Sequence, residues 1–318
     1  MAGTALMAEM VLVGTFLEAA VRSATPLGFA ALGALIAERA GVVNIGIEGS
    51  LVCGAFASFV VAGLLGPEAG FLAGGLAGMS LGLVFAVFVV ALRAQQIIVG
   101  AAVSMLGLGL TASLHRIAVS STGPGAPIST FLPLQVPVLS DIPVFGQAFI
   151  SQPVTTYLLY ALFPLVGWGL YRTVGGIALR AVGEQPSAAV SAGHSPARIQ
   201  CAALLACGFL SGLGGATLVV AQTGIYSDGM SAGRGYIAMA IVALGRWTPR
   251  GVAAGALIFG GVSALQFLTQ AVNWRVPYTI VLATPYLLTL VAMAALRGTR
   301  VAPAALGQTL NRPWSPGG

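Results

Sequence analysis

The chain predicts an all-α polytopic membrane protein, a single transmembrane domain over residues 1–318, and three observations carry that reading. Of its 318 residues 57% are hydrophobic and only 7% charged, with a mean hydropathy of +0.95, whereas a soluble domain carries about 25% charged residues. Apolar runs recur at close to the roughly 20 residues that a helix needs to cross a bilayer. All 14 basic residues are arginines. They sit mostly at the ends of those runs, where they read as topology signals and lipid-headgroup contacts rather than as a nucleic-acid surface.

Candidate spans fall at 9–37, 47–65, 70–92, 96–117, 154–171, 198–221, 233–245, 251–271 and 277–296. The first is long for one crossing and is interrupted at Thr25-Pro26, so it is either one kinked helix or a surface helix followed by a span. Glu9 and Glu18, with no early positive charge, do not resemble a cleaved signal peptide, and the N-terminus is expected to stay in the fold. The third span carries Gly70, Gly74, Gly78 and Gly82 on one face, a pattern that lets another helix approach closely. Cys53, Cys201 and Cys207 lie in apolar runs without metal-ligand neighbours and read as small buried hydrophobes. The connection 119–153 holds six prolines and no basic residue, and is expected outside. The seventh span is too short to cross alone, and short glycine-interrupted segments of this kind line cavities. Nine crossings put the N-terminus outside, and ten put both termini inside. In either case the arginines put the segment 172–198 and the C-terminus in the cytoplasm.

That segment interrupts the membrane pattern with a small polar helix. Gln185 can cap a helix whose first position is Pro186, where the missing N–H has no helical partner anyway. The helix is expected to run through Ala188, Ala189 and Ala192 and to stop at Gly193, the residue best suited to a left-handed C′ position. Ser195-Pro196 offers the same start to the next long helix. A short helix of small residues displayed on the cytoplasmic side reads as a docking element.

Two stretches look like distant partners. Asn44-Ile45-Gly46-Ile47-Glu48-Gly49 opens the second span and Met230-Ser231-Ala232-Gly233-Arg234-Gly235 opens the seventh, from opposite sides on this topology, as an inverted repeat requires. Glu48 is costly at membrane depth, roughly 2.5–3.5 kcal/mol on insertion scales. It can pair with an arginine such as Arg39, cap the broken helix start by accepting backbone N–H bonds, or bind substrate hydroxyls. Asn44 has the same alternatives of cap and ligand contact. Gln96 (with Gln95) at the start of the fourth span, and Gln222 at the end of the sixth, are able to hydrogen-bond a sugar or base, or simply to meet interfacial water. Arg234 and Asp228 read as a structural pair. His115 and His194 lack a second histidine or a carboxylate at ligand spacing, so no metal or other cofactor is expected. No nucleophile–base pair or phosphate-binding glycine loop occurs, and the chain is read as non-catalytic.

The run Ala24-Thr25-Pro26-Leu27, with Ala37-Glu38-Arg39-Ala40-Gly41-Val42-Val43 leading into Asn44–Gly49, resembles the permeases of bacterial ABC importers. More narrowly it resembles the nucleoside and simple-sugar branch of the group that includes ribose and branched-chain amino acid permeases. Arg180-Ala181-Val182-Gly183-Glu184-Gln185-Pro186, with Ala188, Ala189, Ala192 and Gly193, is similar to that family's coupling segment. Gly233–Ala238 and Gly245-Arg246-Trp247-Thr248-Pro249 resemble its second signature. Ser187 and Ser104 depart from the pattern, where a basic residue and an asparagine are common. The resemblance implies a nucleoside permease subunit in the bacterial inner membrane, with a ribose-like sugar permease as the alternative. It implies three partners: an ABC ATPase subunit that grips Arg180, Gly183, Glu184, Pro186, Ala188, Ala189 and Gly193, a second homologous permease in a heterodimer, and a periplasmic or lipid-anchored binding protein. Asn44, Glu48, Gln96, Ser104 and Gln222 are then the substrate-path candidates. An ion-coupled secondary transporter is the rival from another class, with Glu48 as its coupling carboxylate. A membrane enzyme or receptor is the remaining one.

Overall fold

The computed structural model describes residues 2–122, 127–134, 146–271, 278–295 and 302–308. Among them the chain forms α1 (Ala2–Arg39), α2 (Ile47–Leu65), α3 (Pro67–Ala86), α4 (Gln96–Thr122), α5 (Val154–Arg172), α6 (Val174–Glu184), α7 (Pro186–Ser191), α8 (Pro196–Leu218), α9 (Arg234–Leu244), α10 (Pro249–Ala271) and α11 (Tyr278–Ala295). Single π-helical turns extend α3 (Val87–Ala91) and α8 (Val219–Thr223), and another, Gly146–Ile150, precedes α5. The protein is all-α and polytopic. Among the described residues six helices are long and apolar enough to cross a membrane: Leu12–Arg39, Ile47–Leu65, Pro67–Ala91, Gln96–Ala118, Val154–Arg172 and Pro196–Thr223. Arg234–Leu244 is shorter, as its sequence predicts, and α10 and α11 stand where the last two spans are expected.

α1 is the central post. It packs against α8, α9 and α10, and Leu27, Phe29, Ala30, Ala31, Leu32 and Leu35 are almost completely buried on it. Of the two readings of its interruption, the continuous helix is the one that forms, with Pro26 inside it. Proline supplies no N–H to the carbonyl four residues back, here that of Arg22. The Gln222 Nε2 donates to that carbonyl at 2.7 Å, so a side chain from the end of α8 closes the gap that Pro26 opens. Pro285 in α11 is repaired more locally, by Thr284 Oγ1 donating to the Val281 carbonyl at 2.6 Å.

The glycine face of α3 meets a second one on α8. A methyl group at Gly78 would lie 2.6 Å from Gly212 Cα, and one at Gly82 would lie 2.7 Å from the Leu204 carbonyl oxygen. In lipid, where burial against hydrocarbon gives helices little reason to associate, such close backbone approach is what holds them. The stripe is used for packing, as its spacing predicts.

One end of the bundle gathers the arginine-rich connections. Arg39 Nε donates to the Trp247 carbonyl at 2.8 Å, Gly183 packs on the Arg39 and Gly41 backbone, and Gln96 reaches Val43 and Gln308. Residues 127–134 of the proline-rich connection lie at the other end, where Ile128 and Phe131 donate to the Gly224 and Val220 carbonyls at 2.9 and 2.8 Å.

Candidate translocation site

The two polar glycine-rich stretches meet. Residues 42–44 leave α1 without helical structure, turn at Ile45 and Gly46, and start α2 at Ile47. The carboxylate of Glu48, 4% exposed, leaves the first turn of α2 for the start of α9. Its Oε1 accepts from Ser231 Oγ at 2.5 Å and from the Gly233 N–H at 2.9 Å, and its Oε2 accepts from the Gly235 N–H at 2.7 Å. Of the alternatives open to Glu48, the structure therefore forms a cap, but on a helix 187 residues away rather than on its own. Arg39 is not its partner. The charge sits at two helix N-termini at once, where unpaired N–H groups and the helix dipole both favour an anion. A methyl at Gly235 would lie 2.6 Å from the Glu48 nitrogen and 2.7 Å from its Cα, so only glycine admits the approach. From this junction α2 runs to the end that holds Tyr226 and Val219, and α9 runs to the end that holds Arg39.

The remaining path candidates hold the broken segment in place. Asn44 Oδ1 accepts from the Gly46 N–H at 2.9 Å. Gln96 Oε1 accepts from the Val43 N–H at 2.8 Å, and Ser104 Oγ donates to the Ile45 carbonyl at 2.9 Å. All three side chains are buried, and each satisfies a backbone group that the break leaves unpaired. Gln222 repairs α1 and also borders a cavity of about 380 Å³ with Thr15, Glu18, Arg22 and Thr223.

Beside α9 lies a cavity of about 440 Å³, within the usual size of small-molecule sites, about 300–1,000 Å³. Tyr236, Met239, Ala240 and Ala243 of α9 form one wall, Tyr286 and Thr289 of α11 another, and Glu38, Val43 and Leu306 close it. The lining is mostly apolar, with two tyrosines, one threonine and one carboxylate as its polar groups. Glu38 is itself tied, its Oε2 accepting from Trp247 Nε1 at 2.6 Å.

α9 ends in a Schellman motif, with the Trp247 N–H bonded to the Val242 carbonyl and the Arg246 N–H to that of Ala243. An arginine thus fills the left-handed position that glycine normally takes, and both Arg246 and Trp247 have φ of 52°. For residues with a Cβ this costs roughly 1–2 kcal/mol each.

The short helix expected to dock a partner forms between its expected limits. Pro186 is the first residue of α7 and Gln185 precedes it, although no side-chain cap bond is made there or by Ser195 before α8. Gly193 has φ 82° and donates to the Val190 carbonyl at 2.9 Å while His194 donates to that of Ala189 at 3.0 Å, closing α7 with a Schellman motif. Ala189 is 1% exposed, but Ala188 is exposed, so only one of the two alanines is tightly packed. Ser187, Ala188, Val190 and Ser191 face outward. Behind α7, Thr173 Oγ1 caps α6 by accepting the Gly176 N–H at 3.1 Å, and Arg180 lies over the Tyr171 ring at 4.7 Å and donates to the Leu170 carbonyl. Gly183 and Glu184 bind the segment 302–308: the Ala305 N–H donates to the Gly183 carbonyl at 2.9 Å and the Ala304 N–H to Glu184 Oε2 at 3.2 Å. Glu184 also stands 4.0 Å from Arg39.

A helix broken at two glycine-rich joints, a solute-sized cavity along it and a displayed helix at one end are the parts of a transport subunit. Residues 16–295 match the family described as the branched-chain amino acid transport system permease component. The chain belongs to that family. The permease is 32% identical over 294 residues to the guanosine ABC transporter permease protein NupQ of Bacillus subtilis, covering 89% of this chain and 92% of the relative. It is 32% identical over 295 residues to the nucleoside ABC transporter permease protein NupC of Lactococcus lactis, covering 89% and 92%. It is 37% identical over 258 residues to a Haloferax volcanii protein provisionally named glucose ABC transporter permease protein TsgC13, covering 81% and 78%. No solved structure matches the permease.

One expected pair is replaced. Asp228 does not bind Arg234. Its Oδ1 lies 3.0 Å from His115 Nδ1, which joins α4 to the loop before α9, while Arg234 Nη1 donates to the Met230 and Ser231 carbonyls at 2.8 and 3.1 Å. Arg234 sits on the first turn of α9 and reaches back to the carbonyls just before it, out of the way of Asp228. The tyrosines of the cavity and the Glu38–Trp247 bond carry no local signal of their own. Their one trace in the sequence is that Glu38, Tyr236 and Trp247 lie inside stretches that carry the family resemblance.

Proposed function

We propose that this permease is the membrane subunit of an ATP-driven importer in the bacterial inner membrane, and that its solutes are nucleosides. The observation that carries the reading is a continuous mechanical connection. Gly183 and Glu184 of the docking segment rest on the end of α1, Arg39 there holds the Trp247 carbonyl at 2.8 Å, and Trp247 ends the helix that walls the cavity. An ATPase subunit grips the exposed residues of α7 together with Arg180, Glu184 and Pro186, and its closure moves α6 against α1. A second, homologous permease completes the pore. A periplasmic or lipid-anchored binding protein delivers solute to the end opposite the arginines.

Nucleosides suit the cavity on chemical grounds. Tyr236 and Tyr286 offer flat amphipathic faces for a base, and Glu38, Thr289 and the tyrosine hydroxyls offer hydrogen-bond partners for a ribose. Asn44, Gln96 and Ser104 keep the wall of this path in shape, Glu48 fixes α9 along it, and Gln222 borders the outer cavity. Two relatives named for guanosine and nucleosides, each matching over nearly the whole chain, favour the same solute. The provisional glucose name of the 37% identical relative favours a sugar as the second reading.

The test is uptake into vesicles that contain the permease reconstituted with the proposed partners: an ABC ATPase, a second permease and a binding protein. ATP-dependent accumulation of radiolabelled guanosine, outcompeting glucose and ribose, is the expected result. Preference for glucose selects the sugar reading, and uptake driven by an ion gradient without the ATPase overturns the class.

A further inference from the structure

α9 is suspended between two left-handed joints. At its start Ala232 has φ 45° and Gly233 φ 74°, and at its end Arg246 and Trp247 each have φ 52°. Side chains beyond glycine seldom adopt this conformation. Among the described residues the only other non-glycine with positive φ is Arg93. Strained backbone persists where its surroundings hold it, and it concentrates at switching elements. Each joint is held by a buried carboxylate from the first half of the chain, Glu48 at the start of α9 and Glu38 at its end. Between the joints, the cavity-facing residues Tyr236, Met239, Ala240 and Ala243 lie on one helical face.

We propose that Glu38 and Trp247 are positioning residues of the transport cycle: the bond from Trp247 Nε1 to Glu38 Oε2 latches the C-terminal joint of α9, and its release lets the helix swing about Glu48. This rests on the permease reading.

The two joints are not equal. Glu48 takes three donors and is wedged against Gly235 without space for a methyl group. The C-terminal joint is held from outside its own turn by the Glu38 contact at 2.6 Å and the Arg39 Nε contact at 2.8 Å. That is also the joint reached from the docking segment, since Arg39 faces Glu184. A displacement of α6 therefore acts first on the residue pair Glu38–Arg39 and, through both its bonds, on Trp247. The left-handed conformation of Arg246 and Trp247 stores the preference for a different turn, which is expressed when the two bonds are lost. The N-terminal joint stays closed and serves as the pivot.

The experiment reads the position of α9 directly. In the complete assembly, in inside-out membrane vesicles and with the native cysteines replaced, Ala243→Cys reports cytoplasmic access to the cavity by its rate of reaction with a membrane-impermeant maleimide. Slow labelling without ATP and faster labelling with ATP are expected of the otherwise unmodified protein. Trp247→Phe keeps the ring and removes only the N–H donor, and is expected to label at least 5-fold faster without ATP. Glu38→Ala is expected to do the same. Glu38→Gln keeps an oxygen that accepts the indole N–H and is expected to label at the unmodified rate. Unchanged labelling in both Trp247→Phe and Glu38→Ala overturns the latch. Fast labelling in Glu38→Gln with slow labelling in Trp247→Phe also overturns it, by making the charge rather than the bond the active feature. Absence of ATP-driven uptake in the unmodified assembly would count against the proposed ATP-driven importer instead, and the labelling rates are read independently of uptake.

Discussion

Glu48 and Gly235 stand 187 residues apart in the chain, and the Glu48 carboxylate accepts the Gly235 N–H at 2.7 Å. The contact joins the starts of two helices that run to opposite ends of the bundle. A carboxylate buried in this setting is stable because it is fully used: two backbone N–H groups and one hydroxyl converge on it.

Removing the acceptor strands those donors. Each buried donor left unpaired costs about 1–3 kcal/mol, so Glu48→Ala is expected to abolish ATP-driven uptake and to lower the thermal midpoint of the purified permease markedly. Glu48→Gln keeps one acceptor oxygen and turns the other position into a donor facing the Gly235 N–H, so an intermediate loss is expected. Gly235→Ala places a methyl against the Glu48 backbone, which cannot rotate aside, and should resemble Glu48→Ala. Wild-type midpoints in all three would show that the junction is not under this constraint.

The sequence announces this junction only in part. The glycines and the lone acid in Asn44–Gly49 and Met230–Gly235 mark two breaks, because such residues are expensive inside a hydrophobic span. Which group caps which helix depends on the fold, since the donors to Glu48 come from the far half of the chain. The same limit explains Asp228, whose partner His115 lies 113 residues away, and Glu38, whose partner Trp247 is 209 residues away. Local chemistry is far more legible. The limits of α7 follow from Pro186 and Gly193, the glycine face of α3 from its four-residue spacing, and the brevity of α9 from its length. α6 is absent from the reading of 172–198 as a loop with one short helix, although the Thr173 cap and the amphipathic pattern of Val174–Glu184 both mark it.

The proposed docking surface separates from the packed interior at single residues. Val190 is 57% exposed and Ala188 is exposed, whereas Ala189 is 1% exposed. Val190→Arg or Ala188→Glu should leave the thermal midpoint within about 0.5 kcal/mol of stability, as surface changes usually do, while ATP hydrolysis loses its stimulation by solute. Ala189→Leu should destabilise the subunit itself by roughly 1–3 kcal/mol through overpacking. Measuring midpoint and solute-stimulated hydrolysis on the same preparations checks both. Normal stimulation in Val190→Arg would remove α7 from the ATPase contact.

Gly78 and Gly109 test whether the α3–α8 approach is structural. A methyl at Gly78 meets Gly212 Cα at 2.6 Å and its nitrogen at 2.7 Å, whereas nothing lies within 4 Å of one at Gly109. Gly78→Ala is expected to lower stability by about 1–3 kcal/mol, and Gly109→Ala to be neutral or slightly stabilising, because alanine is the better helix former by about 1 kcal/mol. Denaturation in detergent distinguishes the two. Equal midpoints would mean that α3 and α8 separate freely enough to absorb the methyl.

Gln96 ties three distant parts of the subunit together. Its Oε1 accepts from the Val43 N–H at 2.8 Å, and its Nε2 donates to the Gln308 carbonyl at 2.9 Å. The residues just before Gln308 bind Gly183, Glu184 and Gly41, and Leu306 closes one side of the α9 cavity. Gln96→Leu preserves much of the volume and removes both bonds, so the Val43 N–H and the 302–308 segment are released together. The expected outcome is a loss of about 1–3 kcal/mol from the unpaired backbone group, with faster proteolysis near residue 302 than in the unmodified protein. Gln96→Glu keeps the acceptor for Val43 and loses only the donor to Gln308, so it should free the 302–308 segment while sparing most of the stability. If neither variant speeds proteolysis near residue 302, the segment is held by its contacts to Gly183, Glu184 and Gly41 without Gln96.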